Sequence, residues 1–439
     1  MWQHHAPGGK MKRTTKGIIA LVCVAIAIPL SLVAQQFMRI DEVHPTPQPI
    51  TDMTAYLKKG EYLTRAGDCI ACHTPRGSAA FAGGRGIQTP FGTIYSSNIT
   101  PDKKTGIGEW TADDFWQALH HGKGKNGEFL YPAFPYTEFT KVTREDADAI
   151  FAYLQTIPAV EQANKPHALR FPYNFRFLIA FWRMLYFTPG QYQEDTSQTV
   201  AWNRGAYLVQ GLGHCTACHT ARNALGGLDD DTLAGGLIPI ANWYAPSLTS
   251  MKEAGLNQWD IADITALLKT GVSQHGTAFG PMAEVVKNSL QYMHDDDIAA
   301  MALYLKSLPE TKPAHYPTRT VNQQEAEALL SIGKKVYAKY CVDCHQTNGK
   351  GVPPSYPPLD GNRAITMPVA NNPIRTVLHG GFPPSTQGNP RPYGMPPFGQ
   401  VLSDEEVAGV VSYIRNAWSN KAGLITAVDV NRHRATPLN

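Results

Sequence analysis

Three copies of Cys-x-x-Cys-His run along the chain: Cys69-Ile70-Ala71-Cys72-His73, Cys215-Thr216-Ala217-Cys218-His219 and Cys341-Val342-Asp343-Cys344-His345. Two thiols three residues apart lie on one side of a helical turn, and each can form a thioether with a porphyrin. The histidine that follows is placed to bind iron from the proximal side. The pattern reads as covalent attachment of c-type haem, three times over. Zinc or a redox dithiol is the competing reading. Zinc sites usually pair their ligands within one short domain, whereas these copies lie more than a hundred residues apart.

The motifs head three similar segments. Gly60-Glu61-Tyr62-Leu63 leads into the first, Gly205-Ala206-Tyr207-Leu208 into the second and Gly333-Lys334-Lys335-Val336-Tyr337 into the third. Each segment closes on a helical stripe of period i, i+3, i+4, i+7. The stripes are Ala149, Ile150, Tyr153, Leu154 and Ile157; then Ile298, Met301, Tyr304, Leu305 and Leu308; then Val407, Val410, Val411, Ile414 and Trp418. Pro158 and Pro309 end two of them, and Ser403 with Glu406 reads as a capping box for the third. A tyrosine recurs inside all three, at 153, 304 and 413. Internal repetition of this kind predicts three haem domains, at 54–160, 200–312 and 322–420. Residues 161–199 form an aromatic-rich linker, with Arg170, Arg176 and Arg183 among its rings, and 421–439 form a C-terminal tail. The linker is too charged to span a membrane. It can pack between domains, dock a partner subunit or touch a membrane interface.

Of seven cysteines, six belong to the motifs, and Cys23 lies near the N-terminus. No disulfide framework is available in the body of the chain, so the compartment is argued from targeting. Residues 1–16 are basic, with Lys10, Lys12, Arg13 and Lys16, and the apolar run from Gly17 to Ala34 is followed by Asp41 and Glu42. The asymmetry predicts a signal-anchor or a cleaved signal peptide over 17–37, with the remainder exported. The net charge of +3, with no basic run beyond the N-terminus, gives nucleic acid binding no support. No dinucleotide fingerprint follows a strand. Gly83-Gly84-Arg85-Gly86 reads as a loop.

A c-type haem used for electron transfer usually has a second axial ligand, often methionine. Met395, in Tyr393-Gly394-Met395-Pro396-Pro397, and Met282, in Phe279-Gly280-Pro281-Met282, are expected on loops and read as iron ligands. Met251, Met293 and Met367 are the structural alternatives. The first repeat departs: between His73 and Pro158 there is no methionine, and the matching position holds Phe134. Its sixth ligand is therefore open, with His120 and His121 as candidates. His121 aligns with His379 of the third repeat, which suggests a structural role for that position.

These residues resemble the triple-haem cytochrome c subunits of bacterial membrane-bound dehydrogenases, of the quinoprotein alcohol, flavin gluconate or sugar, and molybdenum aldehyde dehydrogenase types. The stretch from Phe91 to Asp102 with Thr105-Gly106-Ile107-Gly108 resembles the family's first domain. Trp202-Asn203-Arg204-Gly205, His214 and Tyr244-Ala245-Pro246-Ser247-Leu248 resemble its second. The family's first domain normally carries methionine where this chain has Phe134. The resemblance implies an all-α fold of three tandem class I cytochrome c domains preceded by one N-terminal hydrophobic helix. It also implies three covalent haem c groups and no substrate chemistry of the chain's own. Electrons would pass from a large dehydrogenase catalytic subunit to ubiquinone, on the periplasmic side of the cytoplasmic membrane. Two other functions stay open at this stage. One is a peroxidase-like enzyme using the Met-free haem, and the other is a stand-alone cytochrome feeding a terminal oxidase.

Overall fold

The computed structural model describes residues 50–228, 232–311 and 322–436. Three helix pairs organise it. In each, the helix leading into a Cys-x-x-Cys-His turn packs on the helix closing the same repeat: Met53–Ala66 on Arg144–Leu154, Val200–Gln210 on Asp295–Ser307, and Gln323–Tyr340 on Asp404–Asn416. The stripes are the buried faces, with Ala149, Ile298, Val407 and Val411 fully buried. Thr143 caps its helix through Asp146 N–H. Ser403 and Glu406 form the expected capping box, which satisfies backbone donors that the first turn leaves open.

One glycine sets the closeness of each pair. A Cβ at Gly60 would strike the Ala149 carbonyl oxygen and lie 2.8 Å from Tyr153 Cβ. Gly205 meets the Ala300 carbonyl with Tyr304 Cβ at 3.0 Å, and Gly333 meets the Gly409 carbonyl with Tyr413 Cβ at 2.7 Å. The tyrosines that recur in sequence are thus the residues beside which the helices cross. Only a residue without a side chain permits backbone-to-backbone approach there.

Packing is continuous through the first two repeats: Leu63, Trp116, Ile150, Leu208, Ile264 and Ile298 belong to one apolar core. The third repeat builds a separate core around Val336, Ile374, Val407 and Val411. The chain after 420 also folds onto this unit. Helix Ala427–Arg434 buries Val430 completely, and Arg434 binds Asp404 at 2.7 Å.

The all-α expectation is corrected. Strands β1 (Gly86–Thr89), β2 (Gly92–Tyr95) and β3 (Ala168–Leu169) form an antiparallel sheet, with Ile87 opposite Ile94 and Thr93 opposite Ala168. Strands β4 (Gly236–Ile238) and β5 (Trp243–Ala245) pair, as do β6 (Val272–Ser273) and β7 (Gly276–Thr277). The physical cause lies in the loops returning from each motif. They carry β-branched and aromatic residues around tight turns, and extended segments satisfy their backbone groups by pairing. The hydrophobic helix expected over 17–37 falls outside the described residues, as does Cys23. Among the described residues no helix is long and apolar enough to cross a membrane, so the structure gives that part of the expected fold no support.

The stretch 161–199 is more than a linker. It supplies β3 and a helix, Leu178–Tyr186. Arg183 of that helix is buried over the Phe129, Tyr136 and Phe187 rings and donates to the His121 carbonyl at 2.5 Å. Trp182 donates to the Leu225 carbonyl in the second repeat at 3.0 Å. Phe171, Phe175 and Phe177 remain exposed, with Phe171 meeting Phe175 edge to face and Phe177 tilted against Phe175.

Candidate haem sites

All three motifs fold as a single helical turn delivered by the preceding helix: Cys69–His73, Thr216–His219 and Val342–His345. Their histidines share one arrangement. Nδ1 of His73 lies 2.6 Å from the Ser97 carbonyl oxygen, Nδ1 of His219 lies 2.7 Å from that of Pro246, and Nδ1 of His345 lies 3.1 Å from that of Pro357. A carbonyl can only accept, so Nδ1 carries the proton and the lone pair sits on Nε2. Burial lowers the pKa of all three rings, against the opposing effect of the carbonyl bond. Each is thus a neutral imidazole whose orientation is fixed through Nδ1, leaving Nε2 free to bind a metal, the usual outer-shell device at metal-binding histidines.

The carbonyl of each motif histidine is held as well. It accepts from the N–H of Gly83, Gly235 and Gly351 at 2.8, 2.7 and 3.1 Å in turn. All three glycines have positive φ, a conformation that favours a residue without Cβ. Two further clasps escaped the sequence reading. Arg85 donates to the Ala71 carbonyl inside the first motif at 2.5 Å, and Arg222 to the Ala217 carbonyl inside the second at 3.1 Å. The Gly-Gly-Arg-Gly loop therefore serves the first motif. In the third repeat Gln346 takes this place on the Asp343 carbonyl, at 3.2 Å.

Cys69, Cys215 and Cys341 are partly buried, while Cys72 and Cys218 are exposed. Burial pushes the Cys69 and Cys215 thiols up to about 12 and that of Cys341 up to about 11. Thiols held protonated in this way are poor nucleophiles for dithiol exchange. Among the described residues no three His, Cys, Asp or Glu side chains converge as a ligand set. The residues present fit a covalently held haem: paired thiols, a neutral oriented imidazole and apolar side chains around them.

The sixth-ligand candidates divide. Met395 lies on a loop, bridged to Gly381 by hydrogen bonds of 2.8 and 3.0 Å, and packs against the third core. Met282 is not on a loop. It occupies the first turn of helix Pro281–Asn288, behind Gly280, and packs against the core of the first two repeats. Met293 and Met367 are buried core residues. Phe134 packs against the first core, 5.5 Å from the Phe139 ring and 6.5 Å from that of Tyr136. His120 is buried, stacked on Trp116 at 4.3 Å, with Nδ1 3.4 Å from the Thr140 hydroxyl. His121 ends its helix edge-on to His120. His379 likewise ends the helix Asn371–His379.

Turns that present two cysteines and one oriented histidine, repeated within helix pairs crossing at glycine, define a c-type cytochrome. The Cytochrome c family matches residues 203–309 and 330–418. The cytochrome c subunit of gluconate 2-dehydrogenase from Pantoea cypripedii is 42% identical over 86% of this chain and 89% of its own length. The cytochrome c subunit of the quinone alcohol dehydrogenase from Gluconacetobacter polyoxogenes is 40% identical over 87% and 85%. The fructose dehydrogenase cytochrome subunit from Gluconobacter japonicus is 35% identical over 89% and 85%. The chain belongs to this family of dehydrogenase cytochrome c subunits.

Proposed function

We propose that the chain is an electron-transfer subunit carrying three covalent haem c groups, one in each of the domains 54–160, 200–312 and 322–420. Its electrons would come from a large dehydrogenase catalytic subunit and pass to ubiquinone, on the periplasmic side of the cytoplasmic membrane. The observation that carries this reading is the threefold recurrence of one turn, with the histidine Nδ1 held on a backbone carbonyl each time.

Bound haem supplies one-electron redox chemistry at its iron. The residues do the rest. Cys69 with Cys72, Cys215 with Cys218, and Cys341 with Cys344 anchor the group. His73, His219 and His345 present Nε2 to the iron. Met282 and Met395 would supply a thioether ligand at the second and third sites, which would raise their potentials. Phe134 offers no lone pair at the first. The partner proposal rests on the relatives, whose names describe cytochrome subunits of alcohol, gluconate and fructose dehydrogenases. Export is supported by the basic start and the apolar run that follows it.

Purified under mild detergent from its own cells, the chain is expected to bring down a larger dehydrogenase subunit. The pair should reduce a ubiquinone analogue when given the substrate of that subunit. The isolated chain should oxidise no alcohol, aldehyde or sugar acid. Substrate oxidation by the isolated chain, or peroxide turnover at its first haem, would contradict the proposal.

A further inference from the structure

The leading helices of the first two repeats carry the same five-residue pattern, Lys59-Gly60-Glu61-Tyr62-Leu63 and Arg204-Gly205-Ala206-Tyr207-Leu208. The third residue of each closing helix is an aspartate, Asp146 in the first repeat and Asp297 in the second. The cation before each glycine binds the aspartate of its own repeat. Lys59 Nζ lies 2.8 Å from Asp146, and Arg204 grips Asp297 through two nitrogens at 2.8 and 2.7 Å. Each tyrosine instead crosses to the other repeat. Tyr62 donates to Asp297 Oδ2 at 2.5 Å, and Tyr207 donates to Asp146 Oδ2 at 2.6 Å.

Exchanging the two repeats maps these contacts onto one another. That reciprocity defines an isologous interface, the kind found across the twofold axis of a homodimer, here inside one chain. Burial and the bond to Asp297 raise the Tyr62 phenol above its usual range, and burial with the Asp146 charge does the same for Tyr207. Both therefore stay protonated donors. Other contacts link each motif, directly or through its clasp, to the other repeat. Arg85, which clasps the first motif, also binds Glu284 at 3.1 Å, on the helix that carries Met282. Thr216, inside the second motif, donates to Glu138 of the first repeat at 3.0 Å.

The third repeat lacks this chemistry. Ile332 stands in the cation's place and Lys335 in the tyrosine's, while Glu406 is engaged in its own capping box. It meets the second repeat through different contacts, among them the Asn372 amide, which accepts from Tyr244 N–H at 2.8 Å and donates to the Tyr244 carbonyl at 2.7 Å.

We propose that the first two repeats form an internal pseudo-twofold dimer, with Tyr62 and Tyr207 as positioning residues that fix the mutual placement of the first two haem sites. These sites then exchange electrons as one unit, and the third repeat is an asymmetric addition to it. The exchange is an outer-sphere transfer of one electron. One site is oxidised as the other is reduced, and no bond or proton moves.

The inference rests on the three-haem reading, so its test separates the two. In the full chain, Tyr62→Phe and Tyr207→Phe are made singly and together, with Tyr337→Phe as a third-repeat control. Pyridine haemochrome reads haem content, Soret-region circular dichroism reads haem–haem geometry, and denaturant titration reads coupling of the repeats. Haem content should stay at the wild-type value. The bisignate Soret couplet should weaken equally in the two single variants and lose most of its amplitude in the double variant, but not in Tyr337→Phe. The joint unfolding step of the first two repeats should split. A wild type with no couplet, or a double variant that keeps both the couplet and a single joint step at the wild-type midpoint, overturns the proposal. A wild-type haem content below three with a split step in the double variant overturns the three-haem reading and keeps the clamp.

Discussion

Phe134→Met is expected to raise the near-infrared charge-transfer band of the oxidised protein, the signature of Met-ligated iron, from two haems' worth towards three. In the alignment of the repeats Phe134 falls opposite Met282 once one residue is inserted; both pack against the core that the first two repeats share, and Met395 packs against that of the third. Ligation follows side-chain chemistry, and a phenyl ring has no lone pair to give. The structure gives His120 other work. It is 5% exposed, stacked on Trp116 and beside the Thr140 hydroxyl. A first site without a thioether ligand should have a lower potential than the other two, and carbon monoxide titration of the reduced protein should single it out. A wild-type band already worth three haems would show that a ligand to the first site has gone unrecognised.

Gly205→Val should be among the most destabilising substitutions in the chain. Its Cβ would overlap the Ala300 carbonyl oxygen, and a branched side chain adds further collision with Tyr304. Overpacking a well-filled crossing costs about 3 kcal/mol. The crossing also positions the helix that delivers the second motif. The variant should therefore lose stability in denaturant titration and mature with less haem. A stability within about 0.5 kcal/mol of wild type, the range of ordinary surface substitutions, would contradict the account of the glycine.

Local features were readable before folding. The Cys-x-x-Cys-His turns, the stripes around Ile150, Ile298 and Val411, and the Ser403–Glu406 box each depend on residues a few positions apart, where helical geometry alone decides who meets whom. The recurring tyrosines were visible too, although their reason, contact with Gly60, Gly205 and Gly333, was not. What escaped depends on where the chain returns. The Arg85 clasp on Ala71 requires the loop after the motif to double back, and nothing in Gly83-Gly84-Arg85-Gly86 states the carbonyl that its guanidinium will meet. The Tyr62–Asp297 bond joins residues 235 positions apart.

The all-α expectation failed for a related reason. Gly-Ile-Gln-Thr and Gly-Thr-Ile-Tyr flank a Pro-Phe turn and carry a strand signal, but each is only four residues long, too short to stand out beside the helical stripes. The third strand comes from Ala168–Leu169, in a stretch read as linker. Met282 shows a smaller version of the same limit. Gly280-Pro281 reads as a loop, yet proline suits the first turn of a helix, and the chain begins a helix there.

The haem count tests the account most directly. Pyridine haemochrome assay of well-matured protein, set against protein concentration from amino-acid analysis, should give three covalent haems per chain. Replacing Cys341 and Cys344 together with alanine should lower the value to two. A wild-type value of two or fewer would contradict the reading of three haem-bearing repeats.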